Sequence, residues 1–269
     1  MKRGPAVAGV FYPGKPAELR ETLNFLIESA SERVRAIAVV SPHAGYMYSG
    51  KVAGRVFGRI EAPDTAIILG PNHTGLGAAI SLYPGEAFVT PLGEARIDEE
   101  LREALFKECS LFTPDVKAHE HEHSLEVQVP FLQYLNPIVK IVPVCLSYIS
   151  LKEIKELGET IAKVIKAFPE KKILIVASSD FSHYVPHEVA KEKDKRAIEK
   201  ILNLDEEGLI KRVVEERISM CGVVPVSVAM VASKGIKEKP QAELVAYQTS
   251  GDVIGDYSSV VGYGGIIVK

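Results

Sequence analysis

Three apolar, β-type runs in this chain each stop at a turn that carries a histidine. Residues 36–40 lead into Ser41-Pro42-His43-Ala44-Gly45, residues 66–69 into Gly70-Pro71-Asn72-His73-Thr74-Gly75, and residues 173–177 into Ser178-Ser179-Asp180-Phe181-Ser182-His183. Ligands of open α/β sheets gather beyond the carboxyl ends of the strands. If the three runs are neighbouring parallel strands, three imidazoles and a carboxylate share one rim, the make-up of a metal or acid–base site. His43 and His73 also share a setting in which proline precedes and glycine follows. Proline stiffens the approach and glycine permits a tight turn, the preorganisation that metal ligands require. Taken singly, either histidine fits a turn residue bonded to backbone, and it is the matched setting that points to a ligand. Asp180 could fix the tautomer of a nearby imidazole, or Asp180 and Ser182 could cap a following helix. Both readings hold together if Asp180 faces the cleft and Ser182 caps.

The segment Ala118-His119-Glu120-His121-Glu122-His123-Ser124-Leu125-Glu126 is the most metal-like string by composition. In an extended conformation its three histidines would share one face and Glu120 and Glu122 the other. Neither zinc-finger nor His-Glu-x-x-His spacing is present. The expectation is a solvated loop bearing His119 and His121 that leads into a helix over 125–135, with His123 and Glu126 near the helix start and facing inward. Cys221, in Ser219-Met220-Cys221-Gly222, precedes an apolar stretch read as a buried helix. A thiol at a helix start has a lowered pKa, and spacing alone leaves it open as ligand, nucleophile or buried apolar residue. Cys109 and Cys145 lie in apolar surroundings and read as inert core residues.

These groups need a frame. Helical periodicity marks residues 17–29, with Pro16 at the first turn, and residues 50–60 with Ser49 as N-cap. Short strands are expected near 79–82 and 87–90, around the Tyr83-Pro84-Gly85 turn, and a helix over 98–107. Residues 138–179 read as strand, long helix and strand, the helix opened by a Ser150/Glu153 capping box and closed by Pro169. Such a unit implies parallel strands joined by a right-handed crossover. Charged helices over 187–202 and 205–217, a buried helix over 223–232, and strands near 244–247 and 258–268 complete the pattern. The expectation is one α/β domain over 1–269, with a central, mostly parallel sheet flanked by helices.

Composition narrows the function. An apolar content of 46%, a charged content of 25% and a formal charge of −3 are ordinary for a soluble globular protein. Lysine and arginine are scattered rather than massed into the stripe a nucleic-acid binder needs, so no nucleic-acid partner is expected. No apolar run nears the roughly 20 residues of a membrane span, and no signal-peptide core follows the basic start. Three cysteines form no paired framework, so a reducing cytoplasm is the expected compartment.

Taken in order, Pro42-His43-Ala44-Gly45-Tyr46, Gly70-Pro71-Asn72-His73, Glu122-His123-Ser124-Leu125-Glu126, Ser178-Ser179-Asp180-Phe181-Ser182-His183 and Met220-Cys221-Gly222 resemble the Memo family from about Pro5 to the carboxyl terminus. Prokaryotic members are also called the B component of the AmmeMemoRadiSam system, which implies a functional link to a radical-SAM protein. The family is similar in fold to class III extradiol dioxygenases, which hold non-haem iron(II) on two histidines and a glutamate. The resemblance implies His43 and His73 as metal ligands, Cys221 as the third, and Asp180 and His183 as acid–base groups. Tyr46, His123 and Glu126 become pocket residues. A thiolate in place of a carboxylate moves the preference towards copper or zinc and makes the site oxidisable. The expected function is a metal-dependent, oxygenase-like redox enzyme using iron(II) or copper on a small molecule. The alternatives are a non-catalytic metal- or peptide-binding adaptor and a zinc hydrolase with His183 as base.

Overall fold

A computed structural model describes residues 1–28 and 30–269. The strand-end turns do share one rim. Ala38–Ser41, Ile173–Ser178, Thr65–Pro71 and Lys140–Leu146 are consecutive, parallel neighbours at the centre of the large sheet. Ile173–Ser178, late in the sequence, sits between the two earlier histidine-bearing strands. Towards the margins the pairing turns antiparallel: Val260–Val268 joins Ala38–Ser41 and carries Ala242–Thr249, while Ile80–Leu82 joins Lys140–Leu146. The expected crossover over 138–179 joins parallel strands as anticipated, but Thr65–Pro71 lies between them.

Burial on both faces explains why the central strands read as unbroken apolar runs. Val40, Ile67, Leu69, Val144 and Ile175 point to one face, where helices Leu151–Lys166 and Val223–Ile236 pack. Val39, Ile68, Ile141 and Val176 point to the other, against Pro16–Leu26, Tyr46–Gly58 and Val129–Leu135. The Ser150/Glu153 capping box forms in full. Lys2–Arg3, Ala87–Thr90 and Gly93–Arg96 make a separate three-stranded sheet, so the two short strands expected around Tyr83 belong to different sheets.

Several local expectations are corrected. The second helix begins at Tyr46 with Gly45 as N-cap. Ser49 caps nothing and instead donates to the Ala44 carbonyl at 2.9 Å. The helix expected over 17–29 is Pro16–Leu26, and Ser29 lies outside the described residues. Ser182 does not cap the next helix, which starts at His187 after Pro186, because the short strand His183–Val185 intervenes and pairs with Val260–Val268. The helix expected over 125–135 is two pieces, His123–Glu126 and Val129–Leu135. No helix among the described residues is long and apolar enough to cross a membrane.

The amino-terminal segment is fastened by a buried ion pair. Arg3 Nη1 meets Glu126 Oε2 at 2.7 Å, with both side chains almost fully buried. Arg3 also donates to the carbonyls of His119 (2.5 Å) and Glu122 (2.8 Å). Glu126 in turn accepts from the Ala6 and Val7 backbone and from the Tyr12 hydroxyl. Removing one partner of such a pair leaves an uncompensated buried charge, at a cost of about 3–5 kcal/mol. Arg3→Ala is therefore expected to lower unfolding stability by that amount in urea titrations, and a loss below about 1 kcal/mol would contradict the buried-pair account.

Candidate metal centre

His43 and His73 stand two residues beyond Ser41 and Pro71, the last residues of their strands, so sheet geometry brings their rings together with centroids 5.0 Å apart. His123, at the start of its short helix, joins them, 4.6 Å from the His73 ring and 5.4 Å from the His43 ring. One donor atom from each of His43, His73 and His123 lies within 4.8 Å of the others. The set runs from the interior to the surface, with side-chain exposures of 2% for His43, 24% for His123 and 32% for His73. The cluster is therefore open to incoming molecules along the His73 side.

Each of the two strand-end imidazoles is anchored through Nδ1. His43 Nδ1 is 2.9 Å from Ser178 Oγ, and His73 Nδ1 is 2.9 Å from Glu122 Oε1. This leaves Nε2 as the available nitrogen on both rings, the arrangement in which metal-binding histidines are held by a partner on the far nitrogen. Two imidazoles so oriented, with the His123 ring beside them, fit a first-row transition metal such as iron, copper or zinc. Burial, and then the neighbouring imidazoles of His73, His123 and His183, hold the His43 pKa well below the usual histidine value. Burial likewise lowers that of His123. Both rings are thus neutral near pH 7, the form that binds metal.

Glu122 is the residue that sequence reasoning missed, having been assigned to the face opposite the histidines. It is fully buried and accepts from the His73 backbone N–H (2.6 Å), His73 Nδ1 and the Ser124 N–H (2.8 Å). Burial works to raise its pKa, but the His73 hydrogen bond and charge, together with Ser124, outweigh that and leave it at about 2. The signal available in the sequence was its position directly before a helix start, where a carboxylate caps.

Cys221 lies with Sγ 3.2 Å from His43 Nε2 and accepts from the Asp180 N–H at 3.3 Å. It is outside the set of three mutually close histidine donors. Gly222 allows this approach, since a Cβ there would stand 2.4 Å from the Ser178 carbonyl oxygen and from Ser179 Cβ. The lowered thiol pKa expected of a helix start is not found. Burial, and then the Asp180 charge, push it well above the ordinary cysteine range. Asp180 accepts from the His43 N–H at 2.8 Å, with Oδ2 3.9 Å from His43 Nε2. Burial raises its pKa to about 6, against the lowering effect of the His43 N–H and the His183 and His73 charges. His183 is half-buried, with Nδ1 2.9 Å from the Ser219 carbonyl and its N–H on Ser219 Oγ.

The remaining expected residues are placed elsewhere. Glu126 faces inward but is occupied by Arg3 and the 6–12 segment. The Tyr46 hydroxyl is buried and donates to the Val127 carbonyl. His121 is exposed as expected. His119 is the correction: it is fully buried rather than solvated, with Nε2 2.9 Å from Ser81 Oγ. Burial, then the Arg3 charge, lower its pKa to about 3. The string folds as two helical turns, Lys117–Glu120 and His123–Glu126, so its histidines do not alternate across a strand.

A fold with parallel strands delivering two histidines and an aspartate to one rim, completed by a histidine from an adjoining helix, defines a class of α/β protein with a candidate metal centre. The Memo-like protein family profile matches residues 3–267, and the chain belongs to that family. It is 45% identical to a MEMO1 family protein of Aquifex aeolicus, with 98% of each chain covered. It is 43% identical to one of Methanopyrus kandleri, covering 100% of this chain and 99% of that one. Among solved structures, an uncharacterised protein of Escherichia coli K12 is similar in fold, with a TM-score of 0.57 at 15% identity over 86% of this chain and 98% of that one.

The Glu122 pKa dictates the sign of a pH effect. Its folded value of about 2 lies below the ordinary glutamate value of 4.5, so its contribution is complete above about pH 4.5 and disappears as pH falls towards 2. Glu122→Gln is expected to destabilise the metal-free protein at pH 7 by on the order of 3 kcal/mol. The gap between variant and parent should narrow below about pH 4.5 in denaturant titrations across pH. A gap independent of pH would contradict this account.

Proposed function

We propose that this protein is a metal-dependent redox enzyme that holds iron(II) or copper on His43, His73 and His123. The observation that carries this reading is the convergence of three imidazole donors, two of them anchored through Nδ1, at the open carboxyl edge of a parallel sheet. A metal bound there would supply electron transfer and Lewis acidity to a small molecule entering beside His73. The chain's own residues prepare that chemistry. Burial keeps His43 uncharged, Glu122 fixes the His73 ring, and the Asp180 carboxylate holds or releases a proton beside His43. With Nδ1 on the Ser219 carbonyl, His183 keeps Nε2 free to accept a proton at the rim. Membership of the Memo family is in keeping with a metal site, and a link to a radical-SAM protein remains part of this reading.

His123 as third ligand departs from the expectation of Cys221, and the donor geometry supports the change. The Cys221 thiol then sits against His43 as a hydrogen-bonding neighbour that a metal could still recruit as thiolate. Three histidines also make a donor set for zinc with an open position for water, which keeps hydrolysis as a second reading.

Elemental analysis of protein purified without oxygen, followed by oxygen-uptake and ester-hydrolysis assays, separates these readings. His43→Ala and His73→Ala are expected to lose metal, His123→Ala to lose at least tenfold in affinity, and Cys221→Ala to lose less. The reverse order for the last two would restore Cys221 as ligand. Zinc with hydrolysis would favour the second reading, and tight metal binding without turnover would make the protein a metal carrier.

A further inference from the structure

Ser178, the last residue of the central strand, makes more contacts than a serine at a strand end requires. Its Oγ lies 2.7 Å from the Ser124 carbonyl oxygen, 2.9 Å from Gln128 Nε2 and 2.9 Å from His43 Nδ1, all fully buried. A hydroxyl has one proton to donate and two lone pairs with which to accept. A carbonyl oxygen can only accept, so the single Ser178 proton is committed to Ser124. The Gln128 amide has its NH₂ turned this way because Nε2 also serves the Pro42 carbonyl at 3.0 Å, where an amide oxygen would be repelled. Gln128 therefore donates to Ser178 and fills one lone pair. Only the second lone pair is left for His43, and it requires a donor.

We propose that Ser178 is a positioning residue that locks His43 in the tautomer with its proton on Nδ1, so that Nε2 always presents a lone pair to the cluster. The alternative tautomer would set a bare Nδ1 against a hydroxyl with no proton to offer. A buried, unsatisfied contact of that kind is disfavoured. In the metal-free protein the Nε2 lone pair also faces Cys221 Sγ across 3.2 Å, so that this contact, like the one to the Asp180 carbonyl at 3.6 Å, needs the thiol as donor. By sequence alone Ser178 is only part of the turn that leads to Asp180. Its hydroxyl instead connects three separate stretches of chain: the His43 turn, the 123–126 helix through Ser124, and the following helix region through Gln128.

The importance of Ser178 for metal rests on the reading of the centre given above, whereas the tautomer assignment does not. The test is heteronuclear NMR of metal-free protein labelled on the histidine ring nitrogens, at mildly alkaline pH, with the His43 signals assigned by their loss in His43→Gln. The wild-type protein is expected to show the Nδ1–H form at His43, and an Nε2–H form would overturn the proposal without any variant. Ser178→Ala is expected to move His43 to a mixture or to the Nε2–H form, and retention of pure Nδ1–H would overturn it. Gln128→Leu leaves the Ser178 proton on Ser124 and is expected to keep Nδ1–H, which separates a specific role from general disturbance of the core. A shift in that variant would overturn the assignment to Ser178. Where wild type binds metal, Ser178→Ala is expected to weaken affinity by about 10–100-fold, and an unchanged affinity would overturn the positioning role. If wild type binds no metal while the tautomer pattern holds, the redox reading fails and the Ser178 assignment stands.

Discussion

The carboxylate of Glu122 joins two parts of the chain that would otherwise be unrelated. One is the strand-end turn at His73, which it holds by backbone and ring. The other is the helical string that bears His123, whose first turn it caps through the Ser124 N–H. A buried charge is tolerated only when fully hydrogen-bonded, and here the hydrogen bonds that satisfy it also define the cluster. Loosening any one of them would release a histidine as well as expose a charge.

Arg3 does the same for the string from its other side. Its guanidinium is committed to the carbonyls of His119 and Glu122 and to the Glu126 carboxylate, so a residue near the start of the chain fixes the conformation of residues 119–126. Phe11, carried on the segment tied down by Glu126, then packs on the His123 ring at 4.9 Å. His43 is set by the sheet and by Ser178. His123 is set by this amino-terminal fastening. The donors of one centre thus owe their positions to different kinds of interaction: backbone pairing for one, and a desolvated ion pair for another.

That difference explains what was legible in the sequence. The central strands and the turns at His43, His73 and Asp180 could be read because two-sided burial produces continuous apolar runs, and strand ends are where such sheets place chemistry. The Ser150/Glu153 box was readable because its geometry is entirely local. Residues 117–126 were not, since whether His119 is solvated or Glu122 buried depends on Arg3 and Ser81, far away in sequence. Ser49 and Ser182 have the residue type of a cap and cap nothing, because neighbouring backbone sets the helix starts elsewhere. Cys221 shows the opposite limit: its proximity to His43 agrees with the family resemblance, but its local setting raises rather than lowers the thiol pKa.

The strand order has a consequence for biosynthesis. His43 and His73 are separated by only thirty positions in sequence, yet the strands that carry them do not touch, because Ile173–Ser178 occupies the place between them. A nascent chain that has passed both histidines, and even His123, still lacks the strand that spaces the first two and the hydroxyl that anchors one of them. The ribosome must deliver residue 178 before His43 can be set beside the other two donors. Any cation held by all three would then load late, after the sheet has assembled, and a truncated chain ending before that strand would carry every one of these imidazoles without the strand that spaces His43 from His73.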